Sequence, residues 1–361
     1  MLLEVFENYS QKIKHQYIKF LQENICDIND TLLNLYLSYA ILDNNFPRPI
    51  LTFLGVNYKS DKIVDISSFK DFSLLFVPQM IRDFGAIHDD IIDEDVLKFN
   101  TETLPVSFSK MFDKNTEGMT KIGKDFGLLF GDYIVPHPYQ IVLDLLVDSK
   151  SKLKIIGAIN NILKRTNIGQ MQELLYGQEK LTNISKNRIL TMYKAKAADY
   201  CYAFPFEIGL IYSKAPKSLI EESREILLQI GSYSQIVNDL EGVFSEDYNN
   251  ERDTLTDLIY LRRSYLLIKL AKLSKNDKEL QAILQKQQLT QQEALFVKQK
   301  FKEYNVCANI SQEVELAGKK LKNQIAKIKL GSVCKNYFGD LIDIRIISNL
   351  KRASNGNALL F

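Results

Sequence analysis

The sequence predicts an all-α protein, and three observations support that fold class. The 361 residues include only 16 glycines and 8 prolines, so helix-breaking residues are fewer than average. Apolar residues recur at three- and four-residue steps along most of the chain. No stretch shows the strict apolar–polar alternation of a half-buried strand. Hydrophobic residues make up 46% and charged residues 25%, values typical of a soluble globular protein.

The same spacing places the helices in chain order, starting with an amphipathic segment at 1–24. The other predicted helical segments are 30–42, 70–95, 119–134, 139–147, 152–178, 187–213, 217–243, 253–274, 292–328 and 336–351. Polar or proline-containing breaks separate them at 43–49, 99–118, 134–138, 179–186 and 245–252. No linker is long or biased enough to divide the chain, so a single helical domain over residues 1–361 is predicted.

Composition excludes several functional classes. Lys and Arg total 46 against 44 Asp and Glu, and no basic block stands out, which argues against nucleic acid as a main partner. No run of about 18 apolar residues predicts a transmembrane helix, and the N-terminus lacks the apolar core of a secretory signal. The four cysteines form no CxxC pair and the three histidines do not cluster. These patterns favour the reducing cytoplasm and disfavour a zinc site.

A first acidic cluster ends the apolar segment that begins near residue 70. Asp93 stands four residues after Asp89 and three after Asp90, so on a helix each of these pairs lies about 5–6 Å apart on one face. Carboxylate oxygens suit Mg²⁺, which completes its shell with water and substrate phosphate. A solvated acidic helix end is the alternative interpretation of this motif taken alone.

A second polar cluster ends another apolar helix. Asn238, Gly242 and Glu246 are spaced by four and share a face, with Asp239 beside them. The amide of Asn238, the carboxylate of Glu246 and a water in the space above Gly242 could together bind one metal ion. Two such clusters on facing helices would clamp a diphosphate between metal ions and stabilise pyrophosphate as a leaving group. The alternative is an acidic helix C-terminus, which the helix dipole disfavours.

Six segments, in the expected order between about residues 40 and 350, resemble the trans-isoprenyl diphosphate synthase (polyprenyl synthetase) family of the class I isoprenoid synthases. They are Asp89-Asp90-Ile91-Ile92-Asp93, Gly131-Asp132-Tyr133, Gly169-Gln170-Met171-Gln172-Glu173-Leu174, Tyr193 to Ala198 with Pro205, Tyr233 to Asp239, and Arg252 to Tyr260. The first resembles the family's first aspartate-rich motif, and the others resemble its GDY, GQxxEL, KTA, FQxxDDxxD and KxTxPxxYA segments.

The resemblance implies one helical bundle around a deep apolar cavity. It also implies a homodimeric enzyme that uses Mg²⁺ to ionise an allylic prenyl diphosphate. It implies three Mg²⁺ ions with the bound diphosphate. The implied metal ligands are Asp89, Asp90, Asp93, Asn238, Asp239 and Glu246.

The resemblance also implies cationic and polar contacts to the substrate. Lys196 and Arg252 would contact the diphosphate, where fixed cations favour developing negative charge. Lys98 and Arg48 are further candidates, and Gln170 and Gln235 would lie near the reacting carbons. For each cation the alternative is a surface side chain that extends into water.

Aromatic side chains would line the implied cavity and stabilise a carbocation through cation–π attraction. Ordinary core packing is the alternative for each ring. Phe84 stands five residues before Asp89, where bulk shortens the prenyl chain in the family, although Gly85 beside it leaves this open. The candidate cavity residues are Phe84, Gly85, Phe126, Phe130, Tyr200, Phe204 and Tyr233.

Departures from the family pattern decide between activities. Asn45 replaces the lysine of the segment that binds isopentenyl diphosphate, leaving Arg48, and Lys98-Phe99 replaces an arginine pair. The second motif resembles the NDxxSxxxE motif of terpene cyclases, with Gly242 at the serine. The sequence therefore favours a terpene synthase (cyclase). The alternative is a prenyltransferase, either a short-chain (geranyl, farnesyl or geranylgeranyl) diphosphate synthase or one with a non-isoprenoid acceptor. A third hypothesis is an inactive regulatory subunit.

Overall fold

The computed structural model describes residues 2–25, 27–42, 46–99, 101–244 and 256–350, and helices dominate them. The all-α prediction is therefore confirmed. The helices of the first half are α1 Leu2–Asn24, α2 Asp30–Ala40, α3 Pro47–Val56, α4 Val77–Ile92, α5 Leu104–Phe112, α6 Lys121–Ile134, α7 Pro136–Asp144 and α8 Ser149–Gly177. Those of the second half are α9 Lys186–Tyr193, α10 Phe204–Tyr212, α11 Lys217–Phe244, α12 Thr256–Ile259, α13 Tyr265–Leu273, α14 Lys278–Ile283, α15 Gln291–Glu303, α16 Val306–Lys327 and α17 Ser332–Ile342.

Short 3₁₀ turns, two π-helical segments and one hairpin complete the described structure. The 3₁₀ turns are Ile66–Ser68, Phe72–Phe76 and Leu181–Asn183, and the π-helical segments are Lys194–Ala203 and Asp343–Ser348. The hairpin pairs β1 (Leu97–Lys98) with β2 (Thr101–Glu102) in antiparallel register. No described helix is long and apolar enough to cross a bilayer.

Prolines explain two helices that the sequence did not predict. α3 begins at Pro47, inside the expected break at 43–49, and α5 carries Pro105 in its first turn and lies within the expected break at 99–118. A proline in the first turn costs a helix nothing, because the N–H it lacks has no partner within the helix. The predicted breaks at 43–49 and 99–118 were therefore wrong in part.

Some long predicted helices are divided. The segment 292–328 separates into α15 and α16 at Asn305, whose φ of 51° ends the first helix. The segment 187–213 contains the π-helical Lys194–Ala203, and 70–95 begins with a 3₁₀ turn before α4. The spacing of apolar residues predicts which side of a helix is buried. It does not predict where the backbone hydrogen bonds change from the α-helical to the 3₁₀ or π pattern.

The chain divides into two compact units. The first comprises Met1–Leu163, Tyr200–Glu221 and Leu330–Cys334, and the second comprises Lys164–Asp199, Glu222–Lys329 and Lys335–Phe361. The single domain expected over residues 1–361 stays a prediction.

Close backbone approach between α3 and α10 organises the first unit. A Cβ atom at Gly209 would lie 2.2 Å from the Thr52 carbonyl oxygen, and one at Gly55 would lie 2.4 Å from that of Phe206. The Thr52 hydroxyl donates a hydrogen bond of 3.0 Å to the Pro205 carbonyl. In the same unit α4 packs against α6 and α7, and α5 packs against α6.

A buried arginine organises part of the second unit. Arg263 is 8% exposed and donates to the carbonyls of Tyr176 and Gly177, at the C-terminal end of α8, and to that of Glu179. A cation at this position satisfies carbonyl groups that have no partner within the helix and complements its dipole. In this unit α13 contacts α9 and α16, and α15 contacts α12 and α16.

We expect Gly209→Ala to lower the free energy of unfolding by about 1–3 kcal/mol, because the added methyl overlaps the α3 backbone. Urea denaturation measures the change. Gly157→Ala is the matched control, since a Cβ there meets no atom within 4 Å, and we expect it to raise stability by up to about 1 kcal/mol. Equal stability of the two variants would contradict the close approach.

Candidate active site

One face of α4 carries two part-exposed carboxylates. Gly85, Asp89 and Asp93 follow one another at four-residue steps, so they share a side of the helix. Asp93 ends α4, and its N–H donates to the Asp89 carbonyl at 2.8 Å. A Cβ atom at Gly85 would meet no other atom within 4 Å. The face thus places carboxylates at the helix end and open space one turn below them.

Asp90 lies in a different environment from its two neighbours. Its side chain is 0% exposed and accepts hydrogen bonds from the Tyr39 hydroxyl at 2.9 Å and from Lys98 Nζ at 2.5 Å. Burial raises the pKa of the Asp90 carboxyl, and the Lys98 ammonium opposes that effect. The hairpin after α4 brings Lys98 back to the helix. Lys98, a candidate for the diphosphate, is therefore engaged by Asp90.

A second buried carboxylate lies seven residues earlier on α4. Asp83 is 0% exposed and accepts from the hydroxyls of Tyr17 at 2.7 Å and Tyr36 at 2.9 Å, and from Arg82 at 3.1 Å. The Arg82 guanidinium also lies 5.4 Å from the centre of the Tyr39 ring. Burial raises the pKa of Asp83, which these donors oppose. The sequence carries no local signal for this network, because its tyrosines come from α1 and α2.

Arg48 and Tyr200 also lie in the first unit. Arg48 is 8% exposed, its guanidinium lies 5.2 Å from the centre of the Tyr200 ring, and its Nη2 donates to Cys201 Sγ at 3.1 Å. The charge of Cys201 and burial raise the pKa of Tyr200, and Asp89 acts in the same direction. The structure therefore associates Arg48, Tyr200 and Asp89 but buries the guanidinium. The diphosphate-binding role of Arg48 stays a prediction.

The glycine of the GDY segment has a packing role. A Cβ atom at Gly131 would lie 2.5 Å from His88 Nε2, so only glycine leaves room for the imidazole. His88 Nε2 lies 3.2 Å from the Leu128 carbonyl, and its ring packs 4.6 Å from Phe84. The segment therefore fixes the residue that immediately precedes Asp89.

Three of the predicted cavity aromatics, Phe84, Phe126 and Phe130, pack against other rings. Phe130 lies 5.2 Å from Tyr36, Phe126 lies 5.3 Å from Phe112, and Phe204 is fully buried. Tyr233 is half-buried in the second unit. These contacts are those of an ordinary core. The role of these rings as a cavity wall stays a prediction.

A second cluster forms around Asp239 in the second unit. Its carboxylate accepts from the Gln235 amide at 2.9 Å and from the Tyr193 hydroxyl, which itself accepts from the Tyr265 N–H at 2.9 Å. Burial and the charge of Asp239 raise the pKa of Tyr193 well above its usual value. Asn238 is exposed. Glu246 and Arg252 lie outside the described residues.

The GQxxEL and KTA-like segments meet in this cluster. Lys196 forms a salt bridge with Glu173, whose charge also acts on Tyr193. A Cβ atom at Gly169 would lie 2.5 Å from the Lys196 nitrogen, so glycine permits this contact. Gln170 Nε2 is buried and has no hydrogen-bond partner among the described residues. The spacing of the motifs does not reveal that Glu173 and Tyr193 connect them.

The donor set on α4 is of the kind that Mg²⁺ uses. Among the described residues, no three His, Cys, Asp or Glu side chains are arranged to hold a metal by themselves. Mg²⁺ needs no such cage, because it keeps several waters and binds through one or two carboxylates plus substrate phosphates. Two part-exposed carboxylates one turn apart, Asp89 and Asp93, fit that requirement.

Comparison with known proteins identifies the family. The model of the polyprenyl synthetase family matches residues 47–301, which is more than half of the chain. The chain belongs to the polyprenyl synthetase family. The expectation raised by the six sequence segments is therefore confirmed at family level.

Curated relatives in this family are distant. A geranylgeranyl diphosphate synthase of Saccharolobus solfataricus is 22% identical over 193 residues, which are 53% of this chain and 53% of that protein. A (2E,6E)-farnesyl diphosphate synthase of Mycobacterium bovis is 23% identical over 50% of this chain and 45% of that protein. The chain spans about half the length of the curated relatives it matches.

Solved structures show the same fold over nearly the whole chain. A geranylgeranyl pyrophosphate synthase of Corynebacterium glutamicum, complexed with isoprenyl diphosphate and magnesium, has a TM-score of 0.79 and 16% identity, covering 97% of this chain and 99% of that chain. A decaprenyl diphosphate synthase of Rhodobacter capsulatus has a TM-score of 0.75 and 14% identity, covering 96% and 98%. The chain therefore shares the helical fold of these solved structures, as its sequence predicts.

We expect Tyr39→Phe to lower the free energy of unfolding by about 1.5–3 kcal/mol, because it removes a hydrogen bond to the buried Asp90 carboxylate. Urea denaturation provides the measurement. Tyr58→Phe is the matched control, because Tyr58 is also buried and its hydroxyl has no hydrogen-bond partner among the described residues. A loss no larger than that of the control would show that Tyr39 does not stabilise Asp90.

Proposed function

We propose that this polyprenyl synthetase is a Mg²⁺-dependent prenyltransferase that joins an allylic prenyl diphosphate to isopentenyl diphosphate. The observation that carries the proposal is the face of α4, where Asp89 and Asp93 stand above the open space at Gly85. Such a face suits a substrate with a charged head and an apolar tail. The named activities of the relatives, geranylgeranyl and farnesyl diphosphate synthases, support a prenyltransferase over a cyclase.

In this proposal Asp89 and Asp93 hold the metal at the diphosphate end. Bound Mg²⁺ supplies a positive charge that stabilises pyrophosphate as it leaves. Asp90 accepts hydrogen bonds from Lys98 and Tyr39, which hold the C-terminal end of α4 in place, and its role as a third ligand stays a prediction. The ligand roles of Asn238, Asp239 and Glu246, and the number of three Mg²⁺ ions, stay predictions.

The proposed reaction breaks one bond and makes another. The allylic C–O bond breaks and its electron pair leaves with pyrophosphate. The double bond of isopentenyl diphosphate supplies the pair for a new C–C bond, and a proton leaves the adjacent carbon. Lys196 and Arg252 are proposed to stabilise the departing charge. Gln170 Nε2, a buried donor without a partner among the described residues, is available to hydrogen-bond an oxygen near the reacting carbons.

The terpene-cyclase hypothesis rests on Asn45, Asn238 and Gly242. The named relatives are geranylgeranyl and farnesyl diphosphate synthases, which favour chain elongation, so the cyclase becomes an alternative outcome of the activity assay. The homodimer and the cytoplasmic location that the sequence favours stay predictions.

A product assay tests the proposal. Purified protein with Mg²⁺ receives geranyl, farnesyl or geranylgeranyl diphosphate singly, with and without isopentenyl diphosphate. We expect a longer prenyl diphosphate only when isopentenyl diphosphate is present. A hydrocarbon or alcohol formed from a single substrate would contradict chain elongation and favour the cyclase. Absence of any product would favour the regulatory subunit.

Variants of α4 make the assay specific to the proposed site. Asp89→Asn and Asp93→Asn should each lower the rate at least about 100-fold, since each removes metal-binding charge that supplies several kcal/mol. Glu94→Gln is the matched control, because Glu94 is exposed and pairs with Lys124. An equal loss in all three variants would show that the acidic helix end acts nonspecifically.

The open space at Gly85 predicts where the prenyl tail runs. We expect Gly85→Phe to shorten the main product by at least one isoprene unit, because the ring fills space on the same face as Asp89. Chromatography of the dephosphorylated products measures chain length. Gly85→Ala adds a methyl that meets no atom within 4 Å and should leave product length unchanged. An unchanged length in Gly85→Phe would place the tail elsewhere.

A further inference from the structure

A cluster of lysines stands apart from the balanced charge of the chain. Residues 316–339 contain six lysines and no Asp, Glu or Arg. Since the whole chain has a net charge of +2, the remaining residues sum to −4. The sequence shows no continuous basic block because apolar residues separate most of these lysines. The structure shows how they are distributed in space.

α16 separates this charge onto one face. At 100° per residue, positions 316, 319, 320, 323 and 327 fall within an arc of about 100°. All five side chains are exposed, and Leu316 among them is 60% exposed. The opposite arc packs into the second unit through Val314, Gly318, Leu321 and Ile325, which are buried. The lysines therefore cannot turn inward, because the core fixes the rotation of the helix.

Four of the lysines form no ion pair with any carboxylate that the structure describes. Lys322, on the flank of the face, binds both oxygens of Asp343 at 2.6 and 2.7 Å. Lys319, Lys320, Lys327 and Lys329 have no carboxylate partner within the part of the chain that the structure describes. We call Leu316, Lys319, Lys320 and Lys327 on α16, together with the exposed Lys329 just after the end of that helix, the lysine face.

We propose that the lysine face binds the surface of an anionic lipid membrane. Lysines near such a surface gain attraction from its negative potential, and an exposed leucine among them adds apolar contact with the acyl boundary. The proposal goes beyond the proposed prenyltransferase activity and does not depend on it.

Composition favours lipid over other anionic partners. The face has no arginine and no aromatic residue. Protein interfaces are enriched in arginine and aromatic residues and depleted in lysine. Single-stranded nucleic acids usually stack on aromatic side chains and arginine. Lysine is a flexible point charge that suits the diffuse charge of a lipid surface. A polar backbone of nucleic acid would also leave Leu316 without an apolar contact.

Vesicle flotation with the full chain tests the proposal. The probes are vesicles of phosphatidylcholine alone and of phosphatidylcholine mixed with phosphatidylglycerol, at low and high salt. We expect binding to the mixed vesicles at low salt, weakened by high salt, and little binding to phosphatidylcholine alone. No binding to the mixed vesicles, or equal binding to both, would overturn the proposal.

Two matched variants separate the lysine face from general positive charge. Each replaced lysine should weaken binding about fivefold, so the quadruple Lys→Gln variant at 319, 320, 327 and 329 should weaken binding about 600-fold. The control carries four Lys→Gln changes at exposed positions outside the face. Those positions are Lys114, Lys150, Lys272 and Lys275.

The two variants have the same net charge, so equal loss in both would overturn the assignment to this face. Thermal unfolding of both establishes that they are folded. Leu316→Gln should weaken vesicle binding about tenfold without changing net charge. If duplex DNA or heparin competes fully at equal charge concentration and Leu316→Gln has no effect, the face is a general polyanion site and the lipid proposal fails.

Discussion

The position of α4 depends on the neutralisation of two buried carboxylates. Asp83 and Asp90 are both 0% exposed, and a buried charge without partners would cost several kcal/mol. Tyr17, Tyr36, Tyr39, Lys98 and Arg82 supply the donors. Because the two aspartates are seven residues apart, they point in nearly the same direction from the helix. Satisfying them fixes the rotation of α4, which turns Gly85 and Asp89 to another side and leaves Asp93 at the end of the helix.

Local spacing in the sequence predicts which residues share a face, but not which face is buried. The DDxxD spacing predicts that Asp89 and Asp93 lie together on a helix, and they do. It treats Asp90 as their equal, because the hydroxyl that makes Asp90 different comes from Tyr39, 51 residues earlier. The helices α3 and α5 were missed for a related reason. Proline signals a break or a beginning, and only the residues that pack after it decide which.

Glycines in the recognised segments show how contacts distant in sequence leave a local signature. Gly131 leaves room for the His88 imidazole, and Gly169 for the backbone at Lys196. The sequence motifs contain these glycines, but the motifs alone do not show which neighbouring group each glycine leaves room for. The structure supplies it: each glycine admits one group that stands beside a candidate site residue. The positions of Glu173 and Tyr193 between the second motif and Lys196 follow from these contacts and not from spacing.

Electrostatics therefore acts on this protein at two scales. On α4, each buried charge is matched by donors within hydrogen-bond distance, and this matching determines geometry. On α16, Lys319, Lys320 and Lys327 have no carboxylate partner among the described residues, and the apolar face of the same helix holds them outward. A net charge of +2 conceals this separation, because the sum over a chain retains no information about faces. The net charge of a chain therefore says little about its binding partners by itself. The partners can be inferred only when the fold shows which charged residues are buried and which share a surface.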